Sequence, residues 1–245
     1  MPAKDIIVVV NAHPDDICLV GGTVANYVNA GHKVHSLSVT LGETVRPPGP
    51  QQEKVKALRK AEGIAIANIL GAQFSHLDIP GNKIIPTMEL KMKVMDAIRK
   101  LRANILLFTT PWDVHADHRN LSWVMRDVIY YVGHDGIKGD YPPIDLKAAY
   151  MFDIELPHNE LHEPDILIDI SEMVRTKMKA VLCKARARVF SKKEGEIFAD
   201  QMETWSRFWG MRHGVKYAEP LFQCFGSMTM TAAVSKLKVH NHIPY

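Results

Sequence analysis

The chain has little cysteine and no long apolar run, and both shortages limit what it can be. Its 245 residues include three cysteines, Cys18, Cys183 and Cys224, which are widely spaced and form no CxxC pair. A disulfide framework is therefore not expected, and a reducing compartment is favoured. The first apolar run, residues 6–10, is too short for a signal peptide, and no run approaches the roughly 18 residues of a membrane span. We expect a cytoplasmic protein without a membrane partner.

The chain also lacks a strong charge of either sign. Its formal net charge is +3 at pH 7, and no run of Lys or Arg is interleaved with aromatic residues. Nucleic acid is therefore not expected as a partner. Hydrophobic residues make up 47% of the chain, which is enough for a substantial core. The length predicts a single α/β domain over residues 1–245, with residues from about 190 to 245 forming a helix and loop extension.

Three common motifs are missing as well. The chain has no G-x-x-x-x-G-K-[ST] phosphate loop and no G-x-S-x-G nucleophile elbow. The paired glycines of VGGTVAN (residues 20–26) do not have the G-x-G-x-x-G spacing of a dinucleotide site. The sequence therefore gives no indication of phosphate-loop, serine-nucleophile or dinucleotide chemistry.

What the chain does have is an alternation of short apolar strands with helical stretches. Residues 6–10 and 104–110 are apolar runs typical of strands buried on both faces. Further strands are predicted over 33–40, 74–77, 148–156 and 165–170, and helices over 17–30, 51–70, 88–101, 117–131 and 172–189, the last capped by Ser171. This order predicts an α/β fold with a mostly parallel, doubly wound sheet flanked by helices.

Two ionisable clusters directly follow the two clearest buried strands. The segment AHPDD (residues 12–16) comes after the first strand, and WDVHADH (residues 112–118) comes after the strand at 104–110. Ligands of doubly wound sheets bind at the carboxyl ends of the strands. We therefore expect the two clusters to lie on the same edge of one sheet and to form one site.

The two clusters together contain a set of ligands for a divalent metal. Zinc accepts His nitrogen and Asp oxygen, and catalytic zinc sites use three protein ligands and leave a position for water. His13, Asp16 and His118 would supply that set, although the same set suits other divalent metals. Asp15, which is beside a ligand but is not itself one, is the candidate general base.

The remaining residues of the second cluster could assist such a reaction. A protonated His115 could hold the oxyanion that forms when a carbonyl is attacked. Asp117 could orient His115 or a ligand His, because metal-bound imidazoles usually donate their free N–H to a carboxylate or carbonyl. A structural alternative stays open, in which Asp15 or Asp16 only caps the helix that begins at Ile17.

AHPDD directly after a first buried strand, together with HADH before a later helix, resembles the PIG-L/LmbE-like zinc-dependent N-deacetylases. Further segments are similar to that family, so that the likeness extends over about residues 5 to 225. They are VTLGE (39–43), RKAEGIAIANILG (59–71), PDILIDISEMVRTKMKAV (164–181) and YAEPLF (217–222).

The resemblance implies a Rossmann-like fold, one Zn²⁺ ion and a small-molecule N-acylated substrate. The reaction it implies is removal of an acyl group, usually acetyl, from an amino sugar such as an N-acetylglucosamine derivative. It also implies a homo-oligomer, either a trimer or a hexamer. By motif position, the zinc ligands would be His13, Asp16 and His118, the general base Asp15, the oxyanion stabiliser His115 and its support Asp117.

The sequence departs from the family at two places. Ile17 stands where the family usually has Glu, and KARAR (residues 184–188) stands where many bacterial members have a His-x-Ser-Gln segment. These departures keep a non-sugar amide or a carbamate open as the substrate. A third alternative is a metabolite-binding protein that uses the metal without catalysis.

Three aromatic residues of the C-terminal third are expected in the core or at a subunit interface. They are Trp205, Phe208 and Trp209.

Overall fold

A computed structural model of the chain describes residues 4–45, 52–153, 162–224 and 239–241. The strands and helices in these ranges alternate over most of the chain. In chain order they are β1 (Ile6–Asn11), α1 (Gly21–Asn29), β2 (Lys33–Thr40), α2 (Gln52–Leu70), β3 (Gln73–Ile79), α3 (Met88–Leu101), β4 (Ile105–Thr109), α4 (Ala116–Val132), β5 (Ala148–Phe152), β6 (Ile166–Asp169), α5 (Val174–Val181), α6 (Lys192–Arg212), β7 (Ala218–Gln223) and β8 (Val239–Asn241). Short 3₁₀ helices cover Asp16–Val20, Glu43–Val45 and Arg186–Arg188.

The strands form one sheet in the order β3-β2-β1-β4-β5-β7-β6-β8. The first five strands in this order are parallel to one another. β7 runs antiparallel to both β5 and β6, and β8 runs antiparallel to β6. The sequence-based prediction of a mostly parallel, doubly wound sheet is therefore confirmed. The strand order reverses between β1 and β4, which is the switch point where such sheets bind ligands.

Alternate residues of β1 enter two different cores, one on each face of the sheet. Ile7 and Val9 belong to the apolar cluster that contains residues of α1, α2 and α5. Val8 and Val10 belong to the cluster that contains residues of α3 and α4. Because successive side chains of a strand point to opposite faces, a run of four apolar residues fills both layers. This double burial holds the end of β1, and the residues that follow it, in a fixed place.

A buried ion pair joins α5 to β7, and its carboxylate also binds the start of α1. Nζ of Lys177 on α5 lies 2.8 Å from Oε1 of Glu219 and donates to the carbonyl of Leu19. The two carboxylate oxygens of Glu219 accept hydrogen bonds from the backbone N–H groups of Gly22 and Thr23. A carboxylate at a helix N-terminus is favourable, because the first N–H groups of a helix have no partner within it.

Helix α5 is shorter than the sequence predicts. The prediction of a helix over 172–189 capped by Ser171 is wrong, because the helix runs from Val174 to Val181 and is followed by a turn. The hydroxyl of Ser171 accepts a hydrogen bond from the backbone N–H of Tyr217 and therefore joins two segments of the chain. Arg186 lies outside α5, in a separate 3₁₀ helix, where its side chain points inward to two buried carboxylates.

Two further differences concern strands. Residues 218–223 form β7, although the sequence predicts helix and loop after residue 190. Glu219 and Pro220 obscure the strand pattern, because proline weakens a strand prediction and a buried Glu is unusual. The strand predicted over 148–156 is observed as β5 over its first five residues, and residues 154–156 lie outside the described part of the chain.

Candidate active site

The two ionisable clusters meet at the switch point of the sheet. β1 pairs in parallel with β4, and Val10 lies beside Phe108 close to the carboxyl ends of both strands. Residues 12–16 continue from β1, and residues 110–118 continue from β4 into the start of α4. The two clusters therefore lie on one edge of the sheet, as the sequence predicts.

Three side-chain atoms from these segments form a compact triangle. Nδ1 of His13 lies 3.0 Å from Nε2 of His118. Oδ1 of Asp16 lies 3.7 Å from each of these two nitrogens. Donor atoms that share a tetrahedral zinc ion at about 2.1 Å lie about 3.4 Å apart. The triangle therefore has the size that a small divalent cation requires, and all three residues are buried.

Each histidine of the triangle faces a carboxylate with its second ring nitrogen. Nε2 of His13 lies 3.3 Å from Oδ2 of Asp117, and Nδ1 of His118 lies 3.1 Å from Oδ2 of Asp113. Asp117 is held in turn by the backbone N–H groups of Asn82 and Ile84. Carboxylates in this position orient metal-binding imidazoles and increase their basicity.

The charges around the triangle favour a bound cation. Burial alone lowers the pKa of His13, but the carboxylates of Asp117 and Asp16 outweigh burial and raise that pKa to about 10. Burial opposes the ionisation of Asp16, yet His118 and His13 outweigh it and lower the pKa of this carboxyl. The pocket thus stabilises positive charge, which a proton or a metal ion can supply.

His115 lies beside the triangle as a third imidazole. The ring nitrogens of His13, His115 and His118 lie within 4.8 Å of one another, so a set of three histidines could also hold an ion. The shorter spacing of the triangle favours Asp16 as the third donor. Nδ1 of His115 accepts a hydrogen bond from the backbone N–H of Asp117. In the neutral ring the proton is then on Nε2, which can donate to a ligand.

The protonation state of His115 differs from the sequence-based expectation. Burial lowers the pKa of His115, and repulsion from His118 and His13 lowers it further. The neutral imidazole is therefore favoured at pH 7, whereas the role inferred from the sequence uses a protonated ring. A neutral Nε2–H group can still stabilise an oxyanion as a hydrogen-bond donor.

Asp15 belongs to a closed ring of four charged side chains, which we call the charge ring. Arg59 donates to Oδ1 of Asp15 over 2.6 Å and to Oε2 of Glu62 over 2.6 Å. Arg186 donates to Oδ2 of Asp15 over 2.8 Å and to Oε1 of Glu62 over 3.3 Å. The charge ring thus places two guanidinium groups around two carboxyl groups.

The two acids of the charge ring differ in their tendency to ionise. Burial opposes the ionisation of Asp15, but Arg59 and Arg186 outweigh it and hold the pKa of this carboxyl well below its usual range. Burial raises the pKa of Glu62 to about 7, and the charge of Asp15 adds to this effect against the two arginines. Asp15 is therefore the member of the pair that stays ionised next to the triangle.

A cavity of about 340 Å³ opens onto both the triangle and the charge ring. Gly42 lines it with a φ of +62°, a conformation that favours glycine, and a Cβ there would lie 3.0 Å from Cδ2 of His13. Asn82 contributes from the loop after β3, and Phe190 and Phe198 contribute apolar surface. The cavity therefore combines a polar end at the triangle with an apolar wall.

The capping alternative for the first cluster is wrong. Asp15 precedes the 3₁₀ helix but makes no side-chain hydrogen bond to it. Asp16 accepts from the backbone N–H of His13, which lies before it and not in the following helix. Ile17 is fully buried in the apolar core, so the acid that the family usually has there has no counterpart at this position.

Sequence reasoning missed several residues of the site. Asp113 lies in the WDVHADH segment, and its position two residues before His115 was the available signal. Arg59 and Glu62 stand in RKAEG, a segment that is similar to the family but suggests no role for either residue by itself. Arg186 of KARAR is buried beside Asp15, and no local pattern distinguishes it from a surface charge.

A profile of the PIG-L family, described as GlcNAc-PI de-N-acetylase, matches residues 8–129. The diacetylchitobiose deacetylase of Thermococcus kodakarensis is 27% identical over 232 residues, which cover 89% of this chain and 83% of that protein. The 4-oxalmesaconate hydratase of Pseudomonas putida is 24% identical over 191 residues, which cover 75% of this chain and 74% of that one.

The fold is also similar to that of solved structures. The N,N'-diacetylchitobiose deacetylase of Pyrococcus horikoshii superimposes with a TM-score of 0.79 at 19% sequence identity, over 94% of this chain and 88% of that one. At this identity the superposition supports the fold alone. In the part of the chain that the structure describes, no helix has the length and apolar character needed to cross a bilayer.

Proposed function

Because the chain belongs to the PIG-L family, we propose that it is a metal-dependent N-deacetylase that removes an acyl group, most simply acetyl, from an amino sugar such as an N-acetylglucosamine derivative. The observation that carries the proposal is the arrangement of the triangle, an ionised Asp15 and a neutral His115 around one cavity. Amide hydrolysis needs a water nucleophile, a proton acceptor and an oxyanion stabiliser, and each has a candidate group here.

His13, Asp16 and His118 are the proposed ligands of the metal, which we assign as zinc on the basis of its preference for this donor set. A bound zinc ion would supply a water molecule of lowered pKa and polarise the substrate carbonyl. Asp117 and Asp113 would keep the two imidazoles in the tautomers that leave one nitrogen of each ring for the metal.

Asp15 is the proposed general base. Its two carboxylate oxygens are held by Arg59 and Arg186, and each oxygen retains a second lone pair that can accept a proton from water. Nε2–H of His115 would donate to the oxygen of the substrate carbonyl as negative charge develops there. Asp117 supports this donor, because its backbone N–H fixes the tautomer of His115.

The test is an assay of N-acetylated amino sugars with protein that has been depleted of metal and then reloaded with zinc. We expect no turnover after depletion and recovery with one zinc per chain. Asp15→Asn should lower kcat by about 10²–10⁴-fold and keep the metal, whereas His118→Ala should lose the metal. Full activity in metal-free protein would refute the proposal.

A second candidate function is addition of water to the double bond of a polycarboxylate. The similarity to a 4-oxalmesaconate hydratase supports it, as do two arginines at the cavity, since guanidinium groups bind carboxylates well. Both arginines are already paired with Asp15 and Glu62, which favours amide hydrolysis. Turnover of 4-oxalmesaconate without release of acetate from N-acetyl sugars would select this candidate. A panel of non-sugar amides and carbamates tests the remaining alternative.

We also propose a cytoplasmic homo-oligomer, a trimer or a hexamer. All three cysteines are buried and none is in a disulfide, which suits a reducing compartment. Trp205 and Trp209 pack in a core cluster with Leu167, so they do not form an interface. Phe208 and Met211 on the same helix remain exposed and could meet another subunit. Light scattering and cell fractionation test these two proposals, and a monomer would refute the first.

A further inference from the structure

Arg186 is more constrained than its place in a short surface turn would require. Its guanidinium carbon lies 4.6 Å from the ring centroid of Phe190 and 4.2 Å from that of Phe198. One of its nitrogens donates to both Asp15 and Glu62. Two rings and two carboxylates therefore fix the position of one guanidinium group, which is nearly inaccessible to solvent.

Stability alone is a poor reason for this arrangement. Removing charged groups from water costs several kcal/mol for each ion, and a buried ion pair often contributes less than an apolar pair of similar volume. The guanidinium also has a buried nitrogen, Nε, without a hydrogen-bond partner among the described residues. A buried donor without a partner lowers the free energy of unfolding. A purely structural role does not explain why this site keeps one.

The contacts of Asp15 show what Arg186 adds. With Arg59 alone, one oxygen of Asp15 would be held and the carboxylate could rotate about the bond to its β-carbon. With Arg186 on the second oxygen, both oxygens are held and rotation is blocked. Glu62 keeps the two guanidinium groups in place, since it accepts from both.

We propose that Arg186 is a positioning residue for Asp15, which orients the carboxylate of the general base toward the metal triangle. This inference rests on the function proposed above. Loss of Arg186 would leave the metal ligands and the substrate cavity largely in place but would let the base move away from its productive orientation. A misplacement of about 1 Å can reduce a rate by about 10²-fold.

The experiment compares Arg186→Ala with Arg188→Ala in zinc-loaded protein. Arg188 is in the same turn and is exposed, so it controls for the loss of a positive charge near the site. We expect Arg186→Ala to lower kcat by about 10²-fold, to change KM by less than about 3-fold, and to bind one zinc per chain. Arg188→Ala should resemble the unmodified protein.

Chemical rescue gives a readout that a merely structural role would not change. The space that Arg186→Ala leaves between two aromatic rings fits a free guanidinium ion. Added guanidinium at low millimolar concentration should raise kcat of Arg186→Ala and have no such effect on Arg188→Ala. Arg186→Lys serves as a second variant if Arg186→Ala does not fold. It keeps the charge but lacks the planar group that lies over the rings of Phe190 and Phe198, so we expect a loss of kcat smaller than that of Arg186→Ala.

A measurement without turnover separates this inference from the proposed function. The ¹³C signal of the Asp15 carboxyl carbon, assigned with Asp15→Asn, should be sharp in the zinc-loaded protein and broadened in Arg186→Ala, and guanidinium should restore it. If this holds while no amide is hydrolysed, the proposed function fails and the positioning role stands. An unchanged Asp15 signal, or a kcat of Arg186→Ala equal to that of Arg188→Ala, overturns the positioning role.

Discussion

Asp113 places Oδ2 at 3.1 Å from Nδ1 of His118, a close charge contact between two buried atoms that have no hydrogen-bond partner among the described residues. Asp113 also accepts the backbone N–H of His115 through its other oxygen. The carboxylate thus fixes both the ring of a proposed ligand and the chain at the start of α4. It does so from outside the triangle of possible metal donors.

Asp113→Asn should therefore weaken metal binding without removing a ligand. Asparagine can still accept from His115, but its amide cannot match the negative charge that orients the His118 ring. We expect zinc affinity to fall by about 10–100-fold, measured by competition with a chelator of known affinity. Asp127→Asn, which alters a half-exposed carboxylate paired with Lys91, is the control. Equal affinities of the two variants would contradict the prediction.

Gly42→Ala should disturb the site through contact and not only through backbone strain. A methyl group at Gly42 would lie 3.0 Å from His13 and 3.2 Å from Arg59, at a φ of +62°. Gly214 has a similar φ of +71° with nothing within 4 Å, so Gly214→Ala is a matched control. Both variants should lose about 1–2 kcal/mol of unfolding free energy, but only Gly42→Ala should lose zinc affinity. A loss of affinity in both would show that backbone strain alone is responsible.

Lys177→Met should destabilise the fold strongly. The substitution keeps most of the volume but leaves the buried carboxylate of Glu219 without its cationic partner. Breaking a buried pair on one side costs about 3–5 kcal/mol, which would appear as a lower midpoint of denaturant unfolding. Lys179→Met removes an exposed charge from the same helix and should change the midpoint little. An unfolding free energy of Lys177→Met within about 1 kcal/mol of that control would refute the assignment.

Asp153→Asn should change how stability depends on pH. Burial raises the pKa of Asp153 from 3.8 to about 6, against the hydrogen bonds from Thr110 and Trp112. Between about pH 4 and 6 the folded protein holds a proton that the unfolded chain has released, so the contribution of this group to stability is lost as pH rises. Asn does not titrate and so has no such loss. Above pH 6 the unfolding free energy of Asp153→Asn should therefore exceed that of the unmodified protein by about 2–3 kcal/mol.

The measurement for Asp153 is the unfolding free energy at several pH values from 4 to 7. Asp135→Asn, at an exposed site, controls for the removal of a negative charge. If the difference between Asp153→Asn and the unmodified protein stays constant over this range, the carboxyl of Asp153 does not titrate with a raised pKa.

The parts of the fold that the sequence predicts well are those in which one local pattern decides the structure. The apolar run of β1 is buried on both faces and could be assigned without knowledge of its neighbours. Helix α3 has the bounds that the sequence predicts, and in the structure Thr87 caps its start by accepting from the N–H of Leu90. Local hydrogen bonds and periodicity are sufficient in such segments.

The parts that could not be predicted depend on contacts distant in sequence. Arg186 leaves the helical path because it meets Asp15, 171 residues earlier, and KARAR by itself continues a helical pattern. The carboxylate of Glu219 is satisfied by the N–H groups at the start of α1, almost 200 residues away. Charged residues ordinarily lie at the surface. A charged residue is buried when it has a partner, and that partner becomes visible only in the folded chain.

The position of β7 has a consequence for the order in which the chain can fold as it is synthesised. Among the described residues, β6 pairs with β7 and β8, and both follow it in sequence. The ribosome completes β6 about 50 residues before β7, which at about 5–20 residues per second is an interval of several seconds. During that interval β1 to β5 can already pair with one another, while β6 has no strand beside it. The nascent chain therefore carries an unpaired apolar strand until Gln223 has been made. At this stage a chaperone that covers the strand would do most to prevent aggregation.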